Sequence, residues 1–222
     1  MSKINSISWA LIALNVIIAI IAYLNIDPTQ QVAIHWNLES EVDRRASPLI
    51  AFFGIPIIAI IIHITLLALK YFEPKRKNLA QSGKLYGANI LLLASLMLVI
   101  QIIIVGAEFQ FFTLTLNKFM PILGITLIIV SNYMPKSLPT HSMGIRTRWN
   151  INNEQNWRQT HRLAGKLGML GGVAIIAAGF LSKDKDILSA ALLIGSLSPL
   201  LLGAGYSWYL GVTNKVDGNV NE

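Results

Sequence analysis

"YGANILLLASLMLVIQIIIV", residues 86–105, is a run of twenty residues without a charge. At about 1.5 Å of rise per residue, a helix of this length covers about 30 Å, the thickness of a bilayer's hydrocarbon core. The run is not isolated. Comparable stretches cover Ser6–Asn25, Leu49–Phe72, Leu114–Met134, Leu163–Leu181 and Ile187–Leu210. The whole chain of 222 residues has only 13% charged residues and a mean hydropathy of +0.56, where a soluble domain carries about a quarter charged residues. The sequence therefore predicts an all-α membrane protein, a polytopic bundle of six transmembrane helices. "SKDKD" leaves room for only a tight antiparallel hairpin between the fifth and sixth spans. The apolar run after Lys3 is too long for a secretory signal and is read as a retained first span.

Charge orients the spans. With an even number of spans, both termini share a side. Lys3, Lys70, Lys75, Arg76, Lys77, Lys84, Lys136, Arg146, Arg148, Arg158, Arg162, Lys166 and Lys215 fall on that side, and Arg44, Arg45, Lys118, Lys183 and Lys185 on the other. This split of 13 to 5 among 18 basic residues predicts cytoplasmic termini. The loop over 135–162 then faces the cytoplasm and the loop over 27–48 the exterior. The net charge of +7 is placed where anionic lipid meets it. No helix-turn-helix or RNA-binding motif is present, and no direct nucleic-acid partner is expected.

The cytoplasmic stretch at 143–166, "MGIRTRWNINNEQNWRQTHRLAGK", differs from the rest in its density of Arg, Trp and Asn. Asn150, Asn152 or Asn153 offers a helix cap, and Gln155 stands three residues after Asn152 as in a capping box. Glu154 and Arg158 form an i,i+4 pair, and Trp157 shares a face with His161. The pattern predicts a helix that starts at the interface and runs unbroken into the fifth span, with Trp149 and Trp157 at headgroup depth. Two readings compete. Arg and Trp anchor spans ordinarily, yet several arginines close together call for an anion: a lipid phosphate, the Glu154 carboxylate or an acidic protein. Gly165, Gly168 and Gly172 mark a packing face on the fifth span, with the sixth as its expected partner.

The stretch "NYMPKSLPTHSMGIRTRWNINNEQNWRQTHRLAGK" resembles the signature of the SdpI-type bacterial immunity membrane proteins. The resemblance rests on Asn132, Lys136, Pro139, Gly144, Ile145, Arg146, Thr147, Trp149, Trp157, Thr160, His161, Arg162 and Gly165. Arg148 stands where the family has proline, which puts the turn before Trp149 in question. The first loop, "VAIHWNLESEVDRRASP", is similar to a domain of unknown function, DUF1648, through Ile34, His35, Trp36, Asn37, Asp43 and Arg44. Ser40 or Glu41 replaces the glycine expected there. The chain thus divides into 1–80, two spans with the external loop, and 81–222, a four-span SdpI-like region. The resemblance implies a multi-pass protein of the bacterial cytoplasmic membrane. It implies protection against an apolar antimicrobial peptide outside and capture of a cytoplasmic transcriptional repressor. Asn132, Lys136, Arg146, Thr147, Trp149, Trp157, Thr160, His161 and Arg162 become the candidate surface for that partner or for anionic lipid. His35, Trp36, Asn37, Asp43 and Arg44 become the external element; His35 and Asp43 could make an acid–base pair, and the preferred reading is that His35, Asn37, Asp43 and Arg44 hold the loop's own fold through hydrogen bonds and an ion pair.

No enzyme, cofactor or metal site is expected. The histidines His35, His63, His141 and His161 lack metal-ligand spacing, and no nucleophile elbow or phosphate loop is present. The alternative is a small-solute or lipid transporter, because intramembrane polar residues are costly and usually functional. His63, Asn89, Gln101 and Glu108 carry that reading, with Pro56, Pro121 and Pro199 as kinks.

The topology is checked by placing single cysteines in this cysteine-free chain and labelling intact cells with an impermeant thiol reagent. A cysteine at Ser40 should label and one at Ser142 should not; the reverse pattern would invert the orientation.

Overall fold

The computed structural model describes residues 2–113 and 115–217. Leu114, the expected start of the fourth span, and the side chain of Lys215 lie outside the described residues. The helices are α1 (Ser2–Leu24), α2 (Pro48–Phe72), α3 (Arg76–Gln81), α4 (Gly83–Glu108), α5 (Leu116–Tyr133), α6 (Glu154–Leu181) and α7 (Lys185–Asp217). A single 3₁₀ turn, Met134–Lys136, follows α5. All but α3 are long and apolar enough to cross a membrane, so the chain is an all-α polytopic membrane protein.

The distribution of side chains agrees. Large aliphatics are exposed along the spans, with Ile17, Ile21, Ile61, Leu170, Ile194 and Leu201 each about half exposed or more. Small and polar residues are buried instead, among them Ser8, Asn15, Ala19, Ala59, Gln101 and Ser131. Helices in lipid gain nothing by hiding aliphatics from the tails, so small and polar residues take the inner seams.

The chain forms two compact units. The first consists of residues 1–68 and 89–118. Its inner seams follow helical spacing: Ser8, Ile12, Asn15, Ala19 and Ala22 on α1; Phe52, Pro56, Ala59 and His63 on α2; Ile90, Ala94, Leu98, Gln101 and Ile104 on α4. Ala19, Ala22, Ala51, Phe52 and Ile104 pack into one cluster with Val32, and Ile12, Ala59 and Ala94 into another. Pro56 has no N–H for the Phe52 carbonyl four residues back. Gln101 Nε2 donates to that carbonyl at 3.1 Å, so a side chain of α4 replaces the backbone bond that proline removes.

The loop between α1 and α2 holds two short antiparallel strands that the sequence reading did not foresee, β1 (Val32–Trp36) and β2 (Val42–Ala46). They pair Val32 with Ala46 and Trp36 with Val42, with an irregular register between. The turn joining them needs a left-handed residue, and Ser40 takes it with φ of +65°. That is the conformation the missing glycine would supply without strain. Ser40 also does what glycine cannot, since its hydroxyl accepts from the Leu116 N–H at 3.0 Å.

The second unit consists of residues 69–88 and 119–222. The glycines of α6 were expected to face α7; Gly168 and Gly172 face α5 instead. A Cβ on Gly172 would stand 2.6 Å from the Gly124 carbonyl of α5, and one on Gly165 would stand 2.8 Å from the Ser131 carbonyl. Gly171, one position round the helix, is the residue that meets α7, at Gly195. The fifth span therefore uses two small-residue stripes, one for each neighbour.

Gly172→Leu should cost about 1–3 kcal/mol of stability by overpacking against α5. Gly205→Leu, where a Cβ meets nothing within 4 Å, should be nearly silent. Thermal unfolding in detergent compares the two.

Candidate functional site

Asn153 caps α6: its side chain accepts from the Asn156 N–H at 2.9 Å. The expected capping box at Asn152 and Gln155 is not formed. Asn152 Oδ1 instead accepts from Lys75 Nζ at 2.9 Å, and Lys75 also donates to the Ile151 carbonyl. The helix runs unbroken from this cap through the span, as the pattern predicts.

On its first turns, Trp157 and His161 stack at 4.1 Å with 20° between planes. Both are fully buried. The ring of Trp157 lies in the protein interior, not against lipid, and Nε1 donates to the Ser137 carbonyl and hydroxyl, each at 3.1 Å. A buried indole N–H needs such an acceptor. The Ile145 N–H donates to His161 Nε2 at 3.0 Å. Nε2 must then be unprotonated, so Nδ1 carries the hydrogen and donates to the Trp157 carbonyl at 2.8 Å. His161 is a neutral imidazole with both nitrogens engaged.

This fixes the segment before α6. Gly144 has φ of +94°, and a Cβ there would stand 2.5 Å from His161 Nε2 and 3.0 Å from the Trp157 ring. Glycine is required twice over, by conformation and by space. Ile145 then turns inward against Met134 and Ala164. Asn150 closes the next turn: its Oδ1 accepts from the Thr147 N–H at 2.9 Å and its Nδ2 donates to the Ile145 carbonyl at 2.8 Å.

A second buried network lies along α6 and α7. Asn156 Nδ2 donates to the Ser207 carbonyl at 3.0 Å, while Asn156 Oδ1 accepts from Ser207 and Thr160 hydroxyls at 2.9 and 3.1 Å. The Thr147 hydroxyl reaches the Ser207 hydroxyl at 2.6 Å. Trp149 packs on Gly211 of α7, with the Arg148 guanidinium 4.5 Å over its ring. The arginine that replaces the family's proline thus covers the face of Trp149.

Glu73 is the member that the sequence reading overlooked. It is 2% exposed, just beyond α2. Its carboxylate accepts from the backbone N–H of His141 at 3.0 Å and of Lys75 at 3.1 Å, and from the Ser142 hydroxyl. His141 Nδ1 lies 3.4 Å away. Burial alone would raise this carboxyl, but the converging donors outweigh it and bring it down to about 2. Asn78 Nδ2 donates to the Pro139 carbonyl and the Ser82 hydroxyl accepts from the Leu138 N–H, so residues 73–82 grip residues 138–142 at three points. The lone acid in the basic stretch "EPKRK" was the signal available in the sequence.

The candidate residues therefore separate into two groups. Trp157, Thr160 and His161 are buried, beneath the surface they were expected to form. Asn132, Lys136, Arg146 and Arg162 are exposed, and Thr147 and Trp149 are half-buried. Arg158 pairs with Glu154 at 2.5 Å and Arg146 caps the His141 carbonyl. Among the described residues neither Arg146 nor Arg162 has a carboxylate partner.

In the first unit, His35 Nδ1 lies 2.6 Å from Asp43, and this hydrogen bond is the first cause of an Asp43 pKa below the usual carboxylate value. Asp43 thus pairs with His35 across the two strands, where their register is irregular. Asn37 Oδ1 accepts from the Glu41 N–H at 2.9 Å and holds the hairpin turn. Trp36 sits half-buried beside Val42. His63 is buried in α2, with Nε2 3.1 Å from Asn5 Oδ1 and the Trp9 ring edge-on at 4.6 Å.

A polytopic helical membrane protein with this tryptophan–histidine core beneath a basic surface matches known sequences. Residues 136–210 match the SdpI/YfhL protein family, and residues 10–60 match a domain of unknown function, DUF1648. The chain is 26% identical to Immunity protein SdpI of Bacillus subtilis (strain 168) over 208 residues, which is 93% of this chain and 96% of that protein. The resemblance to the SdpI family, with its DUF1648-like first loop, is borne out. No solved structure matches the chain significantly.

Glu73 contributes stability that is complete above the ordinary carboxylate range, near 4.5, and is lost as pH falls toward about 2. Glu73→Gln should remove that acid-side dependence and lower the unfolding temperature at pH 7. Melting curves of both proteins from pH 3 to 7 in detergent test this; parallel curves would contradict it.

Proposed function

We propose that this chain is an immunity-type protein of the bacterial cytoplasmic membrane, with both termini inside. It protects its cell against an apolar antimicrobial peptide arriving from outside, and its cytoplasmic face signals by holding a transcriptional repressor at the membrane. The observation that carries the reading is the match to an immunity protein along 93% of the chain. In this reading the two sequence regions divide the work. Residues 1–80 present the hairpin of His35, Trp36, Asn37, Asp43 and Arg44 to the exterior. Residues 81–222 present Asn132, Lys136, Arg146 and Arg162, with the edges of Thr147 and Trp149, to the cytoplasm. Trp157, Thr160 and His161 act beneath that face by fixing its backbone.

The cations support partner recognition over simple anchoring. Arg146 is tied at one end to the His141 carbonyl, which holds its guanidinium in a set direction, and no carboxylate of the described chain neutralises it. A guanidinium so fixed can offer a planar fork to a carboxylate or phosphate, which lysine cannot.

The test is a killing assay in a toxin-sensitive bacterium producing the chain, with variants at matched membrane abundance. Arg146→Lys and Arg162→Lys should each weaken protection or signalling, by about ten- to a hundredfold in partner affinity for a lost charge-assisted contact of about 1.5–3 kcal/mol. Unchanged protection in both Lys variants would reduce the surface to a membrane anchor. No protection by the wild-type chain against any apolar peptide would remove the immunity reading and leave the transport alternative.

A further inference from the structure

Within the first unit, the hairpin and the end of α4 border a cleft of about 640 Å³. Trp36 and Arg45 line it from the hairpin; Glu108, Gln110 and Thr113 line it from the end of α4 and the turn that follows. Gln30 joins the two walls, since its Nε2 donates to Glu108 Oε1. Two features set this lining apart. First, a cation and an anion share one cleft, yet among the described residues neither Arg45 nor Glu108 forms an ion pair. Arg45 donates from Nη1 to the Gln31 carbonyl at 3.0 Å, which fixes the guanidinium and leaves its other N–H groups to a ligand. Second, Gln110 has a left-handed backbone, with φ of +58°. It ends α4 in a Schellman turn: the Gln110 N–H donates to the Ala107 carbonyl at 3.3 Å and the Phe111 N–H to the Gly106 carbonyl at 2.8 Å. Glycine is the usual residue at that position, because a side chain there is strained. Here the strained residue lines the cleft.

The geometry points to a binding site for a phosphoethanolamine group, carried as the headgroup of a membrane phospholipid. The fold sets the level. Glu108 is the last residue of the α4 span, and Gln30 and Arg45 lie in the loop between the α1 and α2 spans. Headgroups begin where spans end. The charges select the ligand. An anion alone meets Arg45 and is repelled by Glu108; a cation alone meets the reverse. A peptide carries its terminal charges a whole chain apart. A phosphate two carbons from an ammonium brings both charges into one cleft. The Arg45 guanidinium offers the phosphate a planar fork. The second oxygen of Glu108 and the amide oxygens of Gln30 and Gln110 offer acceptors to a primary ammonium, which has three donors. A choline headgroup has no N–H to give them. The half-buried Trp36 ring adds an apolar surface at the depth that suits tryptophan. The site goes beyond the immunity reading, does not depend on it, and holds for either orientation of the chain.

The experiment uses the full chain purified in detergent. Native mass spectrometry compares its retention of phosphatidylethanolamine, phosphatidylcholine and phosphatidylglycerol with identical acyl chains, and melting temperatures are measured alongside. The ethanolamine lipid should be held about tenfold more tightly than either of the others, the effect of one charge-assisted contact. Arg45→Gln should weaken all three lipids, because all carry the phosphate. Glu108→Gln should weaken only the ethanolamine lipid and bring it level with the choline lipid. Gln110→Gly removes the left-handed strain, so it should melt no lower than the wild type and still hold the ethanolamine lipid about two- to tenfold less tightly. That variant keeps the test decisive should either charge variant fail to fold. Equal retention of the three lipids by the wild type would mean that lipid gathers unspecifically at the helix ends, and so would retention unchanged in Gln110→Gly and both charge variants. Either result overturns the site. Displacement of the lipid by an equal concentration of soluble glycerophosphoethanolamine would overturn the phospholipid as the source and assign the cleft to a soluble solute.

Discussion

The second unit depends on one hydrogen bond, from the Ile145 N–H to His161 Nε2. It joins the irregular segment before α6 to the helix itself, and it can form only if the ring is neutral, is held against Trp157, and meets no side chain at 144. Those three conditions recruit the surrounding residues. Ser137 anchors the indole, Gly144 clears the approach, and the Trp157 carbonyl fixes the tautomer. Each acts through a different element, so the cost of losing one is spread across the unit. A buried polar network of this kind is worth having only when every member is satisfied. Here every nitrogen of the tryptophan–histidine pair is.

The same rule explains why one acid can be buried among so many cations. Glu73 receives donors from backbone and hydroxyl groups, not from the lysines that flank it in sequence. Lys75 gives its backbone N–H to Glu73 and sends its ammonium to the Ile151 carbonyl and Asn152. The charge of the carboxylate is therefore stabilised by fixed dipoles, not by the flanking ammonium groups. The residues counted for membrane orientation and the residues that hold the loop are often the same residues, used at different atoms.

The spans were legible because length and apolarity decide them: all six helices lie over the predicted apolar runs of about twenty residues. The hairpin between α1 and α2 was not, since five-residue strands with an irregular register leave no alternation to read. Trp157 was expected at the headgroups, and its ring is buried in the protein instead of facing lipid. Tryptophan at the end of a span has an interfacial prior, and only the position of Ser137, twenty residues earlier, reveals a buried acceptor. The glycine stripe was read correctly as a close-packing face but assigned to the nearest helix in sequence. A one-position shift between Gly171 and Gly172 selects α7 or α5, and no sequence rule distinguishes neighbours at that resolution.

The first unit works under the opposite economy of polar groups. Where the second satisfies its buried amides through paired partners, the first leaves carboxamide atoms of Asn15 and Gln101 unmatched in a helical seam. Pro56 sharpens the point: without it, the Phe52 carbonyl would be satisfied by its own helix and Gln101 would have no anchor. A proline that opens a carbonyl and a glutamine that closes it form one arrangement across two helices.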